Sequence, residues 1–294
     1  MNATDLHIPS NRVGDILRYM RTELAELYDE GEIRMFGYML FEEYLGWDTA
    51  KLLTSKGETV NQSDLLKFHW AVEGLKQFRP IQHILGHTEF CGLDIAVNPD
   101  VLIPRPETAE MARAAAEMLE EHAMPRVLDI CCGSGCIALA IKQMVPAAEV
   151  WGADISTQAL ETAKRNAQSN GLEASFCLCD ILEEAPALPE GTWDLIVSNP
   201  PYICEQERSE MSRNVLDYEP GIALFVPDSD PLRFYRAIGR HAAPRLRSGG
   251  RLVLEINEHY GAETCHQLQE LGFETELRQD FNGKDRYIIG NWEL

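Results

Sequence analysis

The spacing of apolar residues changes character along this chain, and the change divides it into regions. Up to about residue 79 the apolar positions recur every three or four residues, the period that places them on one face of an α-helix. Val13, Ile16, Leu17, Met20, Leu24 and Leu27 form one stripe, with Ser10 placed to act as its N-cap. A second stripe runs from Ile33 to Leu45 and is closed by Gly46 as a C-cap. A third runs from Ser63 to Phe78 through Leu65, Leu66, Trp70, Val72 and Leu75. The spacings predict a small helical domain over residues 1–79, with Trp70 in its core. The next stretch, 80–106, is broken by Pro80, Gly86, Gly92, Asn98, Pro99, Pro104 and Pro106. Two runs in it, Thr88–Cys91 and Leu93–Val97, predict a hairpin, and the stretch is expected to join two domains.

From 107 onward the pattern alternates. A helix is expected over 107–122, with Glu107 near its start, where the helix dipole favours an acid. Short apolar runs then predict strands at 126–130, 149–153, 174–179, 193–198, 251–256, 273–278 and 286–289. Helical patterns at 136–144, 157–169, 232–245 and 258–271 fall between them. Such alternation predicts a doubly wound, mostly parallel sheet over 107–294. The last two strands have no helix between them, so they form an antiparallel hairpin at one edge.

Charge and cysteine content narrow the function classes. The formal charge is −21, of which only −4 falls in residues 1–80. A surface this acidic repels phosphate backbones and counts against a free nucleic-acid binder. Among the eight cysteines no CxxC pair occurs and no matching His cluster follows, so no metal site is expected. Several cysteines sit in apolar runs, where a free thiol acts as a small hydrophobe; this points to a reducing, cytoplasmic setting. The N-terminal stretch carries no apolar leader-like core, and no run is long enough to span a membrane.

Four expected strand ends carry candidate chemistry. The first leads into Cys131-Cys132-Gly133-Ser134-Gly135, a tight glycine loop opening a helix, where backbone can approach a ligand closely. The second ends at Asp154, 19 residues past Gly135, where a carboxylate can accept from two ribose hydroxyls. The third ends at Asp180-Ile181, an acceptor for an adenine amino group beside an apolar platform for its ring. All three ask for an adenosine. The fourth ends in Asn199-Pro200-Pro201-Tyr202. Two consecutive prolines stop the strand and stiffen the turn, fixing Asn199 and nearby carbonyls beside an aromatic face. That cluster of acceptors suits a planar –NH2 group. A nicotinamide-dependent oxidoreductase, supported only by the generic glycine pattern, would need a pyrophosphate site and a proton donor such as His or Tyr near the substrate carbonyl. An amino-methyltransferase acting on nucleic acid shares Asn-Pro-Pro-Tyr, but the net charge opposes it. A non-enzymatic binding module leaves Asn-Pro-Pro-Tyr unexplained.

The chain resembles the HemK/PrmC family of glutamine N5-methyltransferases over nearly its whole length. The resemblance rests on Arg79-Pro-Ile-Gln-His-Ile-Leu-Gly86, Phe90, Leu102-Ile-Pro-Arg-Pro-Glu-Thr108, the glycine loop, Asn199-Pro-Pro-Tyr202, Tyr218-Glu-Pro220 and Gly249-Gly-Arg-Leu-Val-Leu-Glu255. It implies a class I S-adenosylmethionine-dependent methyltransferase fold with a helical N-terminal domain that recognises the substrate protein. It implies S-adenosylmethionine held by Cys131, Cys132, Gly133, Ser134, Gly135, Asp154, Asp180, Ile181 and Asn199. The implied substrate is the Gln side chain of a Gly-Gly-Gln loop in class I peptide chain release factors, methylated at a site made by Asn199, Pro200, Pro201 and Tyr202, in a monomeric enzyme. Four positions depart from the family pattern: Cys131 replaces a usual Gly, His83 a Tyr, Asn257 a Gly, and Ile181 an aromatic found in some relatives.

Overall fold

A computed structural model describes residues 10–119 and 122–293. The first nine residues, part of the stretch read as lacking a leader, lie outside the described residues, as do position 294 and positions 120–121 in the expected last turn of the helix over 107–122. Contacts group the chain into two units, one holding the chain up to Gly86 together with Arg213–Tyr218, the other His87–Ser212 and the chain from Glu219 onward. The stretch 80–106 is thus divided between them.

The first unit contains α1 (Val13–Leu24), α2 (Glu30–Leu45), α3 (Thr49–Thr54), α4 (Gln62–Lys76) and α5 (Ile81–Leu85). Its core gathers Ile16, Met20, Leu24, Leu40, Phe41, Phe68, Val72 and Leu75. Gly46 closes α2 in the left-handed conformation with φ 66°, as the sequence predicts. Three local expectations are corrected. The N-cap of α1 is Arg12, not Ser10; the Ser10 hydroxyl bonds instead to the Asp15 side chain. The α1 stripe stops at Leu24, and Leu27 is exposed. Trp70 is 58% exposed rather than core, with Leu66 exposed one turn before it. The buried face of α4 is set by Phe68, Ala71, Val72 and Leu75, and helical geometry turns Leu66 and Trp70 away from it.

The second unit opens with the hairpin β1 (His87–Phe90) and β2 (Leu93–Ala96), antiparallel, then α6 (Pro106–Glu117). The sequence then gives β3 (Arg126–Ile130), α7 (Cys136–Met144), β4 (Glu149–Asp154), α8 (Thr157–Ser169), β5 (Ser175–Leu178), β6 (Trp193–Ser198) and β7 (Ile203–Cys204). The short helix α9 (Arg213–Leu216) belongs by its contacts to the first unit. The chain ends through β8 (Phe225–Val226), α10 (Arg233–Ala242), β9 (Leu246–Glu255), α11 (Gly261–Glu270), β10 (Glu274–Gln279) and β11 (Asp285–Trp292).

Seven strands form the main sheet in the order β10-β11-β9-β6-β3-β4-β5. Strands β9, β6, β3, β4 and β5 are mutually parallel, and β11 and β10 complete one edge antiparallel. Alternate residues of each strand enter opposite layers, as strand geometry requires. Val127, Leu195, Val197 and Val253 pack with α6, α7 and α8, whereas Leu128, Ile196, Leu252 and Leu254 pack with α10 and α11. Burial on both faces is why these strands are continuous apolar runs in sequence. The chain runs β3, β4, β5 outward on one side and returns to place β6 on the other side of β3. That reversal opens a crevice at the carboxyl ends of β3 and β6, where open α/β sheets bind ligands.

Candidate active site

A cavity of about 320 Å3 lies at the carboxyl ends of β3, β4, β5 and β6, within the size range of small-ligand sites. Its wall includes the loop Cys131–Ser134, then Asp154, Asp180, Ile181, Asn199 and Pro201. Of the residues expected from the sequence, Gly135, Pro200 and Tyr202 do not line it.

The glycine loop divides its labour. Gly133 has φ 53°, and no atom lies within 4 Å of where a Cβ would stand, so its backbone is open to a ligand. Gly135 has φ 78°, and a Cβ there would meet the Ala163 Cβ at 3.0 Å; this glycine lets α7 approach α8. Cys131, at the position usually glycine, adopts φ 60°. A non-glycine residue in this left-handed region costs about 1–2 kcal/mol. Burial pushes the thiols of Cys131, Cys132 and Cys179 up, so all three stay protonated and act as apolar wall.

The carboxylates are held by backbone. Asp154 Oδ2 accepts the Gly133 N–H at 2.8 Å and Oδ1 accepts the Ser156 N–H at 2.9 Å. Burial raises its pKa, opposed by the N–H groups of Ser156, Gly133 and Ile155. Each oxygen keeps a second lone pair for a ligand hydroxyl. Asp180 Oδ1 accepts the Leu182 N–H at 2.9 Å, while Ile181 is buried in the wall beside it. An open glycine, a doubly braced carboxylate and an acceptor beside an apolar side chain, at three adjacent strand ends, fit an adenosine group.

Asn199 stands at the end of β6. Its Nδ2 donates to Thr108 Oγ1 at 3.3 Å. The Thr108 hydroxyl donates in turn to Glu255 Oε2 at 2.6 Å, and the Tyr202 hydroxyl donates to Glu255 Oε1 at 3.1 Å. Thr108 and Glu255 are both buried. Burial raises the Glu255 pKa; hydrogen bonds from Thr108 and Tyr202 and the charge of Arg286 oppose this. Burial and then the Glu255 charge push the Tyr202 phenol well up, so it remains a donor. Among the described residues no donor bonds to Asn199 Oδ1, which leaves that oxygen available at the cavity wall. Tyr202 therefore braces the turn from behind, and its ring packs with the core layer of α10 and α11.

Several site elements escape sequence reasoning. One wall is Asp100–Leu102, Pro104 and Arg105, from the stretch expected to be a joint. Pro220, Ile222, Ala223 and Phe225 add apolar surface. Glu219, buried, ties these walls: it accepts the Ile103 N–H at 3.0 Å and pairs with Arg105 at 2.5 Å. Asn257 donates to the Tyr202 carbonyl at 3.1 Å and to Glu207 at 3.0 Å, so the asparagine at a usual glycine fastens the Asn-Pro-Pro-Tyr turn. Thr108 and Glu255 lie within segments that carry the family resemblance, but 147 positions apart, with no spacing signal to pair them.

Two family models match parts of the chain. Residues 15–86 match the PrmC N-terminal domain and residues 110–217 the methyltransferase small domain. A release factor glutamine methyltransferase of Flavobacterium psychrophilum is 40% identical, covering 92% of this chain and 95% of the relative. One from Bacteroides thetaiotaomicron is 38% identical, covering 94% and 99%. Among solved structures, a methyltransferase from Pyrococcus furiosus superposes with a TM-score of 0.50 at 18% identity, covering 69% of this chain and 90% of that one; it shows the fold alone. At the identity and coverage of the two bacterial relatives, this chain belongs to the release factor glutamine methyltransferase family.

Proposed function

We propose that this protein transfers a methyl group from S-adenosylmethionine to the side-chain amide nitrogen of the Gln in the Gly-Gly-Gln loop of class I peptide chain release factors. The reading rests on family membership and on one observation: the adenosine-fitting groups and Asn199 line the same cavity. In this reading Asp154 accepts from the ribose hydroxyls, Asp180 accepts from the adenine amino group, and Ile181 packs on the ring. The glycine loop lets backbone lie close to the amino-acid portion.

S-adenosylmethionine supplies a methyl group already activated on a sulfonium sulfur. The substrate nitrogen is poor, because its lone pair is delocalised into the amide carbonyl. Asn199, which lines the cavity, accepts one N–H of that nitrogen at Oδ1 and so helps turn the lone pair toward the methyl. With the methyl donor bound, transfer would form the N–C bond as the C–S bond breaks, leaving S-adenosylhomocysteine, and the extra proton on nitrogen would pass to solvent. Acceptors set where positive charge grows stabilise that transition state, and holding the reactants in line supplies most of the remainder. Pro200 and Pro201 keep the turn rigid, while Tyr202 anchors it through Glu255.

The first unit is proposed to hold the release factor, because a single Gln offers little binding surface. Leu66 and Trp70, exposed one turn apart on α4, supply apolar contact area. The deciding experiment is transfer of labelled methyl to a purified class I release factor, with a factor carrying Gln→Ala in its loop as control. Label is expected in the first and none in the second. Equal labelling of both would overturn the assignment of the glutamine.

A further inference from the structure

We infer that Glu255, acting through Thr108, sets which way round the Asn199 side-chain amide sits, and that both are positioning residues for methyl transfer. This rests on the proposed role of Asn199 Oδ1 as the acceptor for the reacting nitrogen.

An asparagine amide is nearly symmetric in shape, so packing alone barely distinguishes its oxygen from its nitrogen. A hydrogen-bond partner must do so. The only polar side-chain partner of Asn199 among the described residues is the Thr108 hydroxyl. A hydroxyl can donate or accept, and by itself it would tolerate either orientation of the amide. Glu255 removes that freedom. Its buried carboxylate, acceptor-only when ionised, takes the single Thr108 proton at 2.6 Å. Thr108 then has only lone pairs left for Asn199, so the amide must present Nδ2 to it and Oδ1 to the cavity. Tyr202 occupies the other Glu255 oxygen at 3.1 Å, which holds the carboxylate in place. The direction of the relay runs from Asn199 to Thr108 to Glu255.

Were the amide reversed, Nδ2 would face the substrate –NH2, donor against donor. Reactions in such sites lose on the order of a hundredfold when a reacting group is misplaced by about 1 Å. Glu255 does not line the cavity, so it acts through the groups bonded to it: Thr108, which fixes the Asn199 amide, and Tyr202, which anchors the turn.

The test uses the full chain, a purified class I release factor and steady-state kinetics, with S-adenosylhomocysteine titrated calorimetrically for each variant. Thr108→Val removes the hydroxyl at nearly constant shape and is expected to lower kcat by about tenfold or more, with cofactor affinity within about twofold. Thr108→Ser keeps the hydroxyl and is expected to retain most of kcat. Glu255→Gln places an amide that can donate to Thr108, which frees the hydroxyl proton and lets Asn199 reverse; kcat is expected to fall. The sharpest arm is the pair Asn199→Asp with Glu255→Gln. Asn199→Asp alone leaves one Thr108 proton between two carboxylates. Adding Glu255→Gln reverses the relay: the new amide donates to Thr108, and Thr108 donates to the new carboxylate at the end of β6. The double variant is therefore expected to exceed Asn199→Asp in kcat. A merely structural role for Glu255 would make the double variant worse than either single. If Asn199→Ala is crippled while folded Thr108→Val and Glu255→Gln keep wild-type kcat, the relay is wrong and the role of Asn199 stands. If Asn199→Ala itself keeps wild-type kcat, the underlying reading fails.

Discussion

Asp154 Oδ2 accepts the backbone N–H of Gly133 at 2.8 Å, so the carboxylate ending one strand is fastened to the loop that follows its neighbour. The contact makes Asp154 both a binding group and a strut for the glycine loop. Asp154→Ala should weaken S-adenosylhomocysteine binding by about 1.5–3 kcal/mol, the range for lost hydrogen bonds to a charged acceptor. Calorimetric titration of the folded variant measures it, and unchanged affinity would remove Asp154 from the site.

The same carboxylate predicts a pH dependence. Burial raises the Asp154 pKa in the free protein. Ribose hydroxyls donating to it favour the ionised form, so ligand binding lowers that pKa and releases a proton. Affinity should therefore fall as pH drops through the raised pKa, approaching about tenfold per pH unit below it. Asp154→Asn, which does not titrate, should give a flat profile. A wild-type profile equally flat down to the acid limit of folding would refute the linkage.

Cys131 offers a stability test. Its φ of 60° costs an L-residue about 1–2 kcal/mol, whereas glycine avoids that strain but loses roughly 0.5–1 kcal/mol more chain entropy on folding. Cys131→Gly should stabilise the catalytic unit by about 0.5–1 kcal/mol. Cys131→Val, β-branched in the left-handed region, should destabilise it. Urea unfolding midpoints decide, and Val matching Gly would show that backbone strain is absent there.

Much of this architecture is legible in the amino-acid sequence. The alternation of apolar runs and helical stripes gives the parallel sheet, its antiparallel edge and the four strand ends that carry Asp154, Asp180, Asn199 and the glycine loop. Strands buried on both faces announce themselves as apolar runs, and ligand residues follow at their carboxyl ends. What periodicity does not show is which face of an amphipathic helix meets the core when both are partly apolar. The stripe through Leu66 and Trp70 predicts Trp70 inside, yet it lies outside, because Phe68, Val72 and Leu75 already fill the buried face of α4. Long-range polar pairing is equally silent in sequence. Nothing in the spacing of Thr108, Asn199 and Glu255 joins them; the sheet order does, by setting β6 beside β9. The cavity walls at 100–105 and 220–225 are held by Glu219, whose partners Ile103 and Arg105 are more than a hundred positions away.

The exposed pair on α4 gives a prediction for recognition. Leu66→Ala and Trp70→Ala remove surface side chains, so stability should change by no more than about 0.5 kcal/mol. If this face meets the release factor, Trp70→Ala should raise KM for the intact factor by about tenfold, as for a truncated aromatic anchor, while cofactor affinity stays constant. An unchanged KM in both variants would remove this face from recognition.

The most direct measurement is kcat of Asn199→Ala on a purified class I release factor, with cofactor affinity as control. The side chain lines the cavity and donates to Thr108, and in the proposed mechanism its Oδ1 contact matters most as charge develops on the substrate nitrogen. Removing one preorganised polar group of this kind should lower kcat by about a hundredfold to a thousandfold, with S-adenosylhomocysteine binding little changed. Near-wild-type kcat in a folded Asn199→Ala protein would contradict it, and would leave Asn199-Pro200-Pro201-Tyr202 as only a stiff turn.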